Sequence, residues 1–228
     1  MQPIPERPQR LTETVYTRIR EAIVASELSP GAAVTEAGLA EQLAVSKTPV
    51  REALVRLAYV GFVVPEGRRG LNVVSPSLES IRSAYEVRIA LEAQAVRLAA
   101  ERRTEAEADE VARLAQESLD AVGQGDRPAF RALDRTFHLA IASATHNPRL
   151  ANVVADYVDL ANTLRRRDAP QVDNSRECAG HHVRIAEAVT VHDPDAAERT
   201  LRLHLSKVQA LVEDGFRAAA GRAVASYA

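Results

Sequence analysis

Apolar residues recur at helical spacing along almost the whole chain, and this periodicity constrains the fold more than any other feature of the sequence. Near the N-terminus an apolar residue stands at every fourth position, which predicts a helix with one buried face (Leu11, Val15, Ile19 and Ile23). Beyond residue 76 the pattern predicts six helices and no strand, at about 77–102, 105–122, 127–144, 148–166, 173–191 and 194–221. Aromatic residues make up only 4% of the chain, so small and aliphatic side chains must fill the core. We therefore expect a mainly α fold.

The segment before residue 76 has a different order of elements. A short second helix is predicted at about 35–43 and a third helix at about 47–60. Two β-like runs at 62–65 and 71–74 flank a glycine-bounded turn. Helix, short helix, turn, helix and hairpin is the order of a winged helix-turn-helix.

The sequence Ser75-Pro76-Ser77 interrupts the periodic pattern and predicts a domain boundary. We expect a flexible arm at 1–9, a winged helix-turn-helix domain at 10–75, and an antiparallel all-helical bundle of six or seven helices at 76–228.

Composition excludes several classes of protein. The single cysteine, Cys178, rules out an intramolecular disulfide and is typical of a reducing cytoplasm. No apolar run approaches the roughly 18 residues that a membrane-spanning helix needs, so we expect a cytoplasmic protein with no membrane segment. Residues 1–75 contain nine Lys and Arg against eight Asp and Glu. A prediction of nucleic-acid binding therefore depends on where the basic residues lie and not on net charge.

The predicted helix at 47–60 has polar residues in its N-terminal half, the part that a helix-turn-helix inserts into the major groove of DNA. With its apolar positions buried, the opposite face carries Lys47, Thr48 and Arg51. Arg51 has the forked donors that read guanine, while Lys47 and the hydroxyls of Ser46 and Thr48 can reach phosphates. An exposed arginine on a helix is also commonly just solvated, so each residue taken alone is a weak signal.

The string LAEQLAVSKTPVREALVRLAYVGFVVPEGRRG resembles the DNA-binding domain of the GntR family, and the similarity covers roughly residues 10–75. The resemblance implies that the groove and phosphate contacts are Ser46, Lys47, Thr48 and Arg51, and that the tip of the wing is Arg68, Arg69 and Gly70. The sequence departs from the family pattern at Gly38, inside the second helix, where glycine costs ~1 kcal/mol relative to alanine. It also lacks the basic residue often seen shortly before that helix.

A second group of residues in the C-terminal half has the chemistry of a metal site. Asp134 and His138 are four residues apart and share a helix face, while His182 and His204 lie on two later helices. Imidazole nitrogens and a carboxylate converging from three helices suit a divalent transition metal. Such an ion would keep a net charge of +1 and open positions for an anionic ligand. The spacing of Asp134 and His138 is also typical of a salt bridge or a core contact. Periodicity alone does not show whether His181 or His182 is the ligand.

The strings YEVRIALEAQAVRLAA, LDRTFHLAIASATHNPRL and HHVRIAEAVTVHDPDAAERTLRLHL resemble the effector domain of the FadR-like branch of that family, the FCD domain, over about residues 78–215. The resemblance implies a metal site with the ligands Asp134, His138, His182 and His204. Zinc is the first choice, with nickel or manganese as alternatives. It also implies an effector-binding arginine at Arg88. In the other interpretation Arg88 only pairs with Glu92, one helical turn away.

Together these features predict a transcription repressor and no enzyme. The predicted partners are double-stranded DNA with a palindromic operator, a small organic acid and a second copy of the chain. The alternative is a metal-dependent hydrolase with an appended DNA-binding arm, since a histidine-bound metal can activate water. Against it, the sequence has no HExxH motif, no GxSxG motif and no glycine-rich phosphate loop. An architectural DNA protein would leave the histidines without a role.

Overall fold

The computed structural model describes residues 9–67, 70–165 and 175–225. The chain divides into two compact units, Met1–Pro76 and Ser77–Ala228. Most of the described residues are helical, which confirms the predicted mainly α class. The predicted N-terminal arm lies outside the described residues except for Gln9, where the first helix begins.

The first unit is a winged helix-turn-helix. Its elements in chain order are α1 (Gln9–Val24), β1 (Ala33–Val34), α2 (Glu36–Gln42), α3 (Lys47–Val60), β2 (Val63–Glu66) and β3 (Gly70–Val73). The three strands form one antiparallel sheet in the order β1-β3-β2. The predicted hairpin is β2–β3. Strand β1 was not predicted, because its two residues carry no pattern of their own and are defined only by pairing with β3.

Apolar faces of α1 and α3 form the core of this unit. Val15, Ile19 and Ile23 are 1–3% exposed, as the four-residue spacing predicts, but Leu11 is 38% exposed. The prediction that Leu11 faces the core is therefore wrong, since it lies in the first turn of α1, at the edge of the core. On α3 the buried side chains are Pro49, Val50, Ala53, Leu54 and Leu57. The opposite face of α3 is thereby left exposed.

The second unit is all-helical within the described residues. Its six helices are α4 (Leu78–Arg102), α5 (Glu105–Gly123), α6 (Arg127–Ser143), α7 (Pro148–Arg165), α8 (Ser175–Thr190) and α9 (Pro194–Ala225). Capping side chains define the N-termini of α5 and α6. The Thr104 hydroxyl and the Glu107 carboxylate exchange hydrogen bonds with each other's backbone N–H in a capping box, and Asp126 accepts from the backbone N–H of Ala129.

Helix α4 packs against α7 and α9, and α5 packs against α6 and α8. The contacts between them are made mostly by alanine, valine, leucine and isoleucine. A few charged or imidazole side chains are buried in this apolar interior, and those in the middle of α4, α6, α8 and α9 are described below. None of the described helices has the length and apolar character needed to cross a membrane.

Candidate metal centre and DNA-reading helix

Helix α6 places the first two candidate ligands on one buried face. The Asp126 cap and Pro128 start the helix, and its apolar face holds Phe137 against the core. Asp134 and His138 follow on the same face at a spacing of four residues, and both are buried. A carboxylate and an imidazole buried among apolar neighbours need polar partners, because unpaired buried polar groups are costly.

The partners come from two other helices. His182 on α8 and His204 on α9 are 0% and 1% exposed. One ligand atom from each of Asp134, His138, His182 and His204 lies within 4.8 Å of the others, and we call these residues the four-donor cluster. Oδ1 of Asp134 is 3.4 Å from Nε2 of His182 and 3.9 Å from Nε2 of His138. The structure thus brings together the four residues named from the sequence.

Several ring nitrogens of the four-donor cluster are buried and make no hydrogen bond of good geometry among the described residues: both nitrogens of His138, both nitrogens of His182, and Nδ1 of His204. Native proteins rarely leave such atoms unsatisfied. Three imidazoles and one carboxylate are a donor set that suits a divalent transition metal. The donors therefore fit a metal ion in both chemistry and spacing.

The protonation states also suit a metal. Burial lowers the pKa of His182 and holds the pKa of His204 well below its usual range, so both rings stay neutral at pH 7. Burial acts to raise the pKa of Asp134, but the contact with His182 and the proximity of His138 outweigh it and hold that pKa well below the ordinary value. Neutral imidazole and ionised carboxylate are the forms that coordinate metals.

His181 and His182 are both buried, at 2% and 0% exposure, which is why helical periodicity does not separate them. The His181 ring stacks edge-on against His204 with centroids 5.7 Å apart, but His181 is not one of the four converging donors. His182 is the residue that faces Asp134.

Arg88 lies in the middle of α4, 2% exposed, and its Nε donates to Oε1 of Glu92 at 2.5 Å. The second oxygen of Glu92 is 2.5 Å from Nδ1 of His138. The pairing of Arg88 with Glu92 is therefore real, yet Nη2 of Arg88 is buried with no hydrogen-bond partner among the described residues. Burial opposes the charge on Glu92, but Arg88 and His138 lower the pKa of this carboxyl to about 2.

Tyr85 stands one turn before Arg88 on the same buried face. Its hydroxyl is buried and has no hydrogen-bond partner among the described residues, and burial raises its pKa, so it remains a donor. The Arg88 guanidinium carbon is 5.7 Å from the centre of the Tyr85 ring. Tyr85 was not predicted as a site residue from the sequence, although its spacing of three residues from Arg88 was a usable signal.

Helix α3 carries the predicted DNA contacts on its exposed face. Ser46 is its N-cap residue, and its side chain makes no capping hydrogen bond. Lys47 and Thr48 are exposed, and the Arg51 side chain is 65% exposed. Arg51 is not simply solvated, because Nε and Nη2 donate to both carboxylate oxygens of Glu36 at 2.8–3.1 Å. This contact, across fifteen residues of sequence, was not predicted.

The wing is the hairpin of β2 and β3. Gly67 has a φ of +60°, which favours glycine. At Gly70 an added Cβ would lie 3.0 Å from the carbonyl oxygen of Glu66, so the turn also favours glycine there. The predicted contacts Arg68 and Arg69 lie outside the described residues.

Two family models match the chain. The model for bacterial regulatory proteins of the gntR family matches residues 11–73, and the model for the FCD domain matches residues 83–207. A probable D-xylose utilization operon transcriptional repressor of Paenarthrobacter nicotinovorans is 32% identical over 87% of this chain and 89% of its own length. The Nta operon transcriptional regulator of Aminobacter aminovorans is 30% identical over 81% of this chain and 86% of its own length.

Among solved structures, that of McbR/YncC of E. coli is similar to this one, with a TM-score of 0.72 and 26% identity over 90% of this chain and 98% of the other. The relatives and the matched domains are transcriptional regulators and not enzymes, so the hydrolase alternative has no support from them. The chain belongs to the GntR family of bacterial regulatory proteins, as a transcriptional regulator with an N-terminal GntR DNA-binding domain followed by an FCD domain.

Proposed function

We propose that this regulator is a repressor whose affinity for its operator is set by a small carboxylate bound at a divalent metal in the second unit. The observation that carries the proposal is the four-donor cluster, whose ligand atoms lie within 4.8 Å of one another. The relative from P. nicotinovorans is named a probable repressor, which supports that direction of regulation.

The metal is zinc in this proposal, with nickel or manganese as alternatives. Asp134, His138, His182 and His204 would hold it. Imidazole-rich donor sets suit zinc and nickel. When bound, the metal supplies positive charge and open coordination positions to an anion.

The effector is a small carboxylate. A divalent metal with one carboxylate ligand keeps a charge of +1, and the buried ion pair of Arg88 with Glu92 adds no net charge. A buried charge needs a counter-charge, and a single carboxylate provides it. The unpartnered Nη2 of Arg88 and the hydroxyl of Tyr85 are donors on the same face of α4, and we assign them to the effector's oxygens.

The DNA contacts in this proposal come from the exposed face of α3. Arg51 reads base edges in the major groove, while Ser46, Lys47 and Thr48 reach phosphates. The wing residues Arg68, Arg69 and Gly70 contact the neighbouring groove edge. A homodimer on a palindromic operator follows, because one recognition helix reads only a few base pairs and two-fold symmetry doubles the contacts.

The test is an operator-binding titration at fixed salt. An operator is selected from random duplex DNA with the full chain, and its affinity is measured for metal-loaded and chelator-treated protein. The added compounds are acetate, lactate, succinate and D-xylonate, with D-xylose as the uncharged partner of D-xylonate. We expect at least one carboxylate to change operator affinity by about 5–150-fold, the usual range of allosteric coupling, and only with metal loaded. D-xylose is expected to have no effect.

Arg88→Met is expected to remove the carboxylate effect while the protein still takes up its full metal content at saturating zinc. Arg97→Met is the matched control, because Arg97 is on the same helix but pairs with Asp195 and Glu198. A carboxylate that acts equally on chelated protein would refute the role of the metal. Metal-loaded protein that binds its operator with the same affinity in every acid would refute the sensing role and leave a structural metal.

A further inference from the structure

The carboxylate of Glu92 contacts both Arg88, which we assign to the effector, and His138 of the four-donor cluster. Glu92 is 3% exposed in the middle of α4. Its Oε1 accepts a hydrogen bond from Nε of Arg88, and its Oε2 lies 2.5 Å from Nδ1 of His138 on α6. Both oxygens of one buried side chain are therefore engaged, one by the arginine assigned to the effector and the other by a residue of the four-donor cluster.

The contact with His138 determines which ring nitrogen carries the proton. An ionised carboxylate 2.5 Å from Nδ1 favours the tautomer in which Nδ1 carries the proton and faces Glu92. Nε2 then keeps its lone pair and points towards the cluster, where it is 3.9 Å from Oδ1 of Asp134. A carboxylate at the second nitrogen of a metal-ligating histidine orients the ring and raises its basicity.

The contact with Arg88 selects one edge of the guanidinium. Nε is occupied by Glu92, whereas Nη2 is buried and has no hydrogen-bond partner among the described residues. Arg88 has no second charged partner within salt-bridge distance among these residues. Glu92 thus fixes the direction in which Arg88 presents its remaining donors.

We propose that Glu92 is a positioning residue that couples metal capture to effector capture. The inference rests on the proposed function, which assigns the four-donor cluster to a metal and Arg88 to a carboxylate. Because one carboxylate orients His138 and Arg88 together, a change at either residue is felt at the other. Metal binding then raises effector affinity, and effector binding raises metal affinity by the same factor.

The experiment measures zinc affinity of the full chain by competition with a chromogenic chelator. Glu92→Gln replaces one of the two acceptor oxygens with an amide NH2 group, which cannot accept from either partner. We expect zinc to bind about 10–100-fold more weakly to this variant, as is usual when the hydrogen-bond partner of a ligating histidine is lost. Asp159→Asn is the matched control, because Asp159 is an equally buried carboxylate that accepts from Arg135 and is not one of the four converging donors.

Zinc affinity of Glu92→Gln within threefold of the unchanged protein would overturn the inference, as would an equal loss in Asp159→Asn. The tautomer of His138 is a second test that needs no substitution. Ring ¹⁵N shifts of the unsubstituted, metal-free protein should show a protonated Nδ1 and an unprotonated Nε2, and the opposite tautomer would refute the role of Glu92. A chain that binds no zinc refutes the proposed function itself, whereas normal zinc binding by Glu92→Gln refutes only the inference.

Discussion

Metal removal should destabilise this protein by a large and predictable amount. The four-donor cluster is formed by the fold, so a metal bound by the cluster would stabilise the folded chain by RT ln(1 + [M]/Kd), where [M] is the free metal concentration. At a free metal concentration a thousand times Kd this is about 4 kcal/mol. The second unit, Ser77–Ala228, has 152 residues, a size at which 1 kcal/mol corresponds to about 2–4 °C in Tm. Chelation should therefore lower Tm by about 8–16 °C.

The assay is thermal unfolding followed by circular dichroism, with protein dialysed against chelator and then titrated with zinc, nickel or manganese at buffered free concentrations. The informative quantity is the metal-induced change in Tm within each variant. The packing cost of a substitution lowers both melting points and so cancels from this difference. His204→Ala should abolish the metal-induced rise.

His181→Ala is the matched control for His204→Ala. His181 is a buried histidine next in sequence to His182 but outside the four converging donors. We expect His181→Ala to lower Tm and to keep the full metal-induced rise. A metal site at the four-donor cluster is refuted if no metal raises the Tm of the unsubstituted protein, or if His204→Ala and the unsubstituted protein respond equally.

Three further predictions concern other parts of the chain. Arg51→Ala should cost about 1–3 kcal/mol of base discrimination per half-site, measured by gel shift on selected and scrambled operators. Arg56→Ala is its control on the same helix, because Arg56 pairs with Glu13 of α1. Unchanged discrimination by Arg51→Ala would contradict the assignment. The hydrogen bond from Arg82 lowers the pKa of Glu213 to about 2. Glu213→Gln should therefore destabilise the fold by about 1 kcal/mol at pH 7, and urea titrations should show this difference shrinking as pH falls from about 4.5 towards 2. Residues 76–228 alone should scatter light as a dimer, and a monomer at micromolar concentration would count against the dimer interface.

Helix positions were predictable from the sequence because local signals define them. Thr104 with Glu107 and Asp126 are capping residues in the structure, as their sequence context predicts. Strand β1 was not predictable, since nothing in Ala33–Val34 indicates a strand until β3 lies beside it. Elements that depend on local capping and periodicity are read from the chain, whereas an element that exists only through a distant partner is not.

Some features of the candidate site were likewise predictable from local sequence, and others were not. Helical spacing predicts that Asp134 and His138 share a face, and the structure places them on one buried face of α6. Spacing did not distinguish His181 from His182, because both are on the buried face of α8. The resemblance to the FCD domain supplied that choice. The contact of Arg51 on α3 with Glu36 on α2 was not predictable, because it depends on the angle between the two helices, which the sequence does not specify.

An ion pair with Glu92 and donors left free for a further partner are compatible in Arg88, and the geometry of a guanidinium explains why. Arginine has five N–H donors on three nitrogens, so an ion pair through one of them leaves the others available. Glu92 takes Nε, and Nη2 remains buried without a partner among the described residues. The spacing of four residues predicts the ion pair, because both residues are on α4. It does not predict that the second oxygen of Glu92 reaches His138, because that contact depends on how α6 packs against α4. The packing of α6 against α4 thus brings the ion pair of Arg88 and Glu92 into contact with His138.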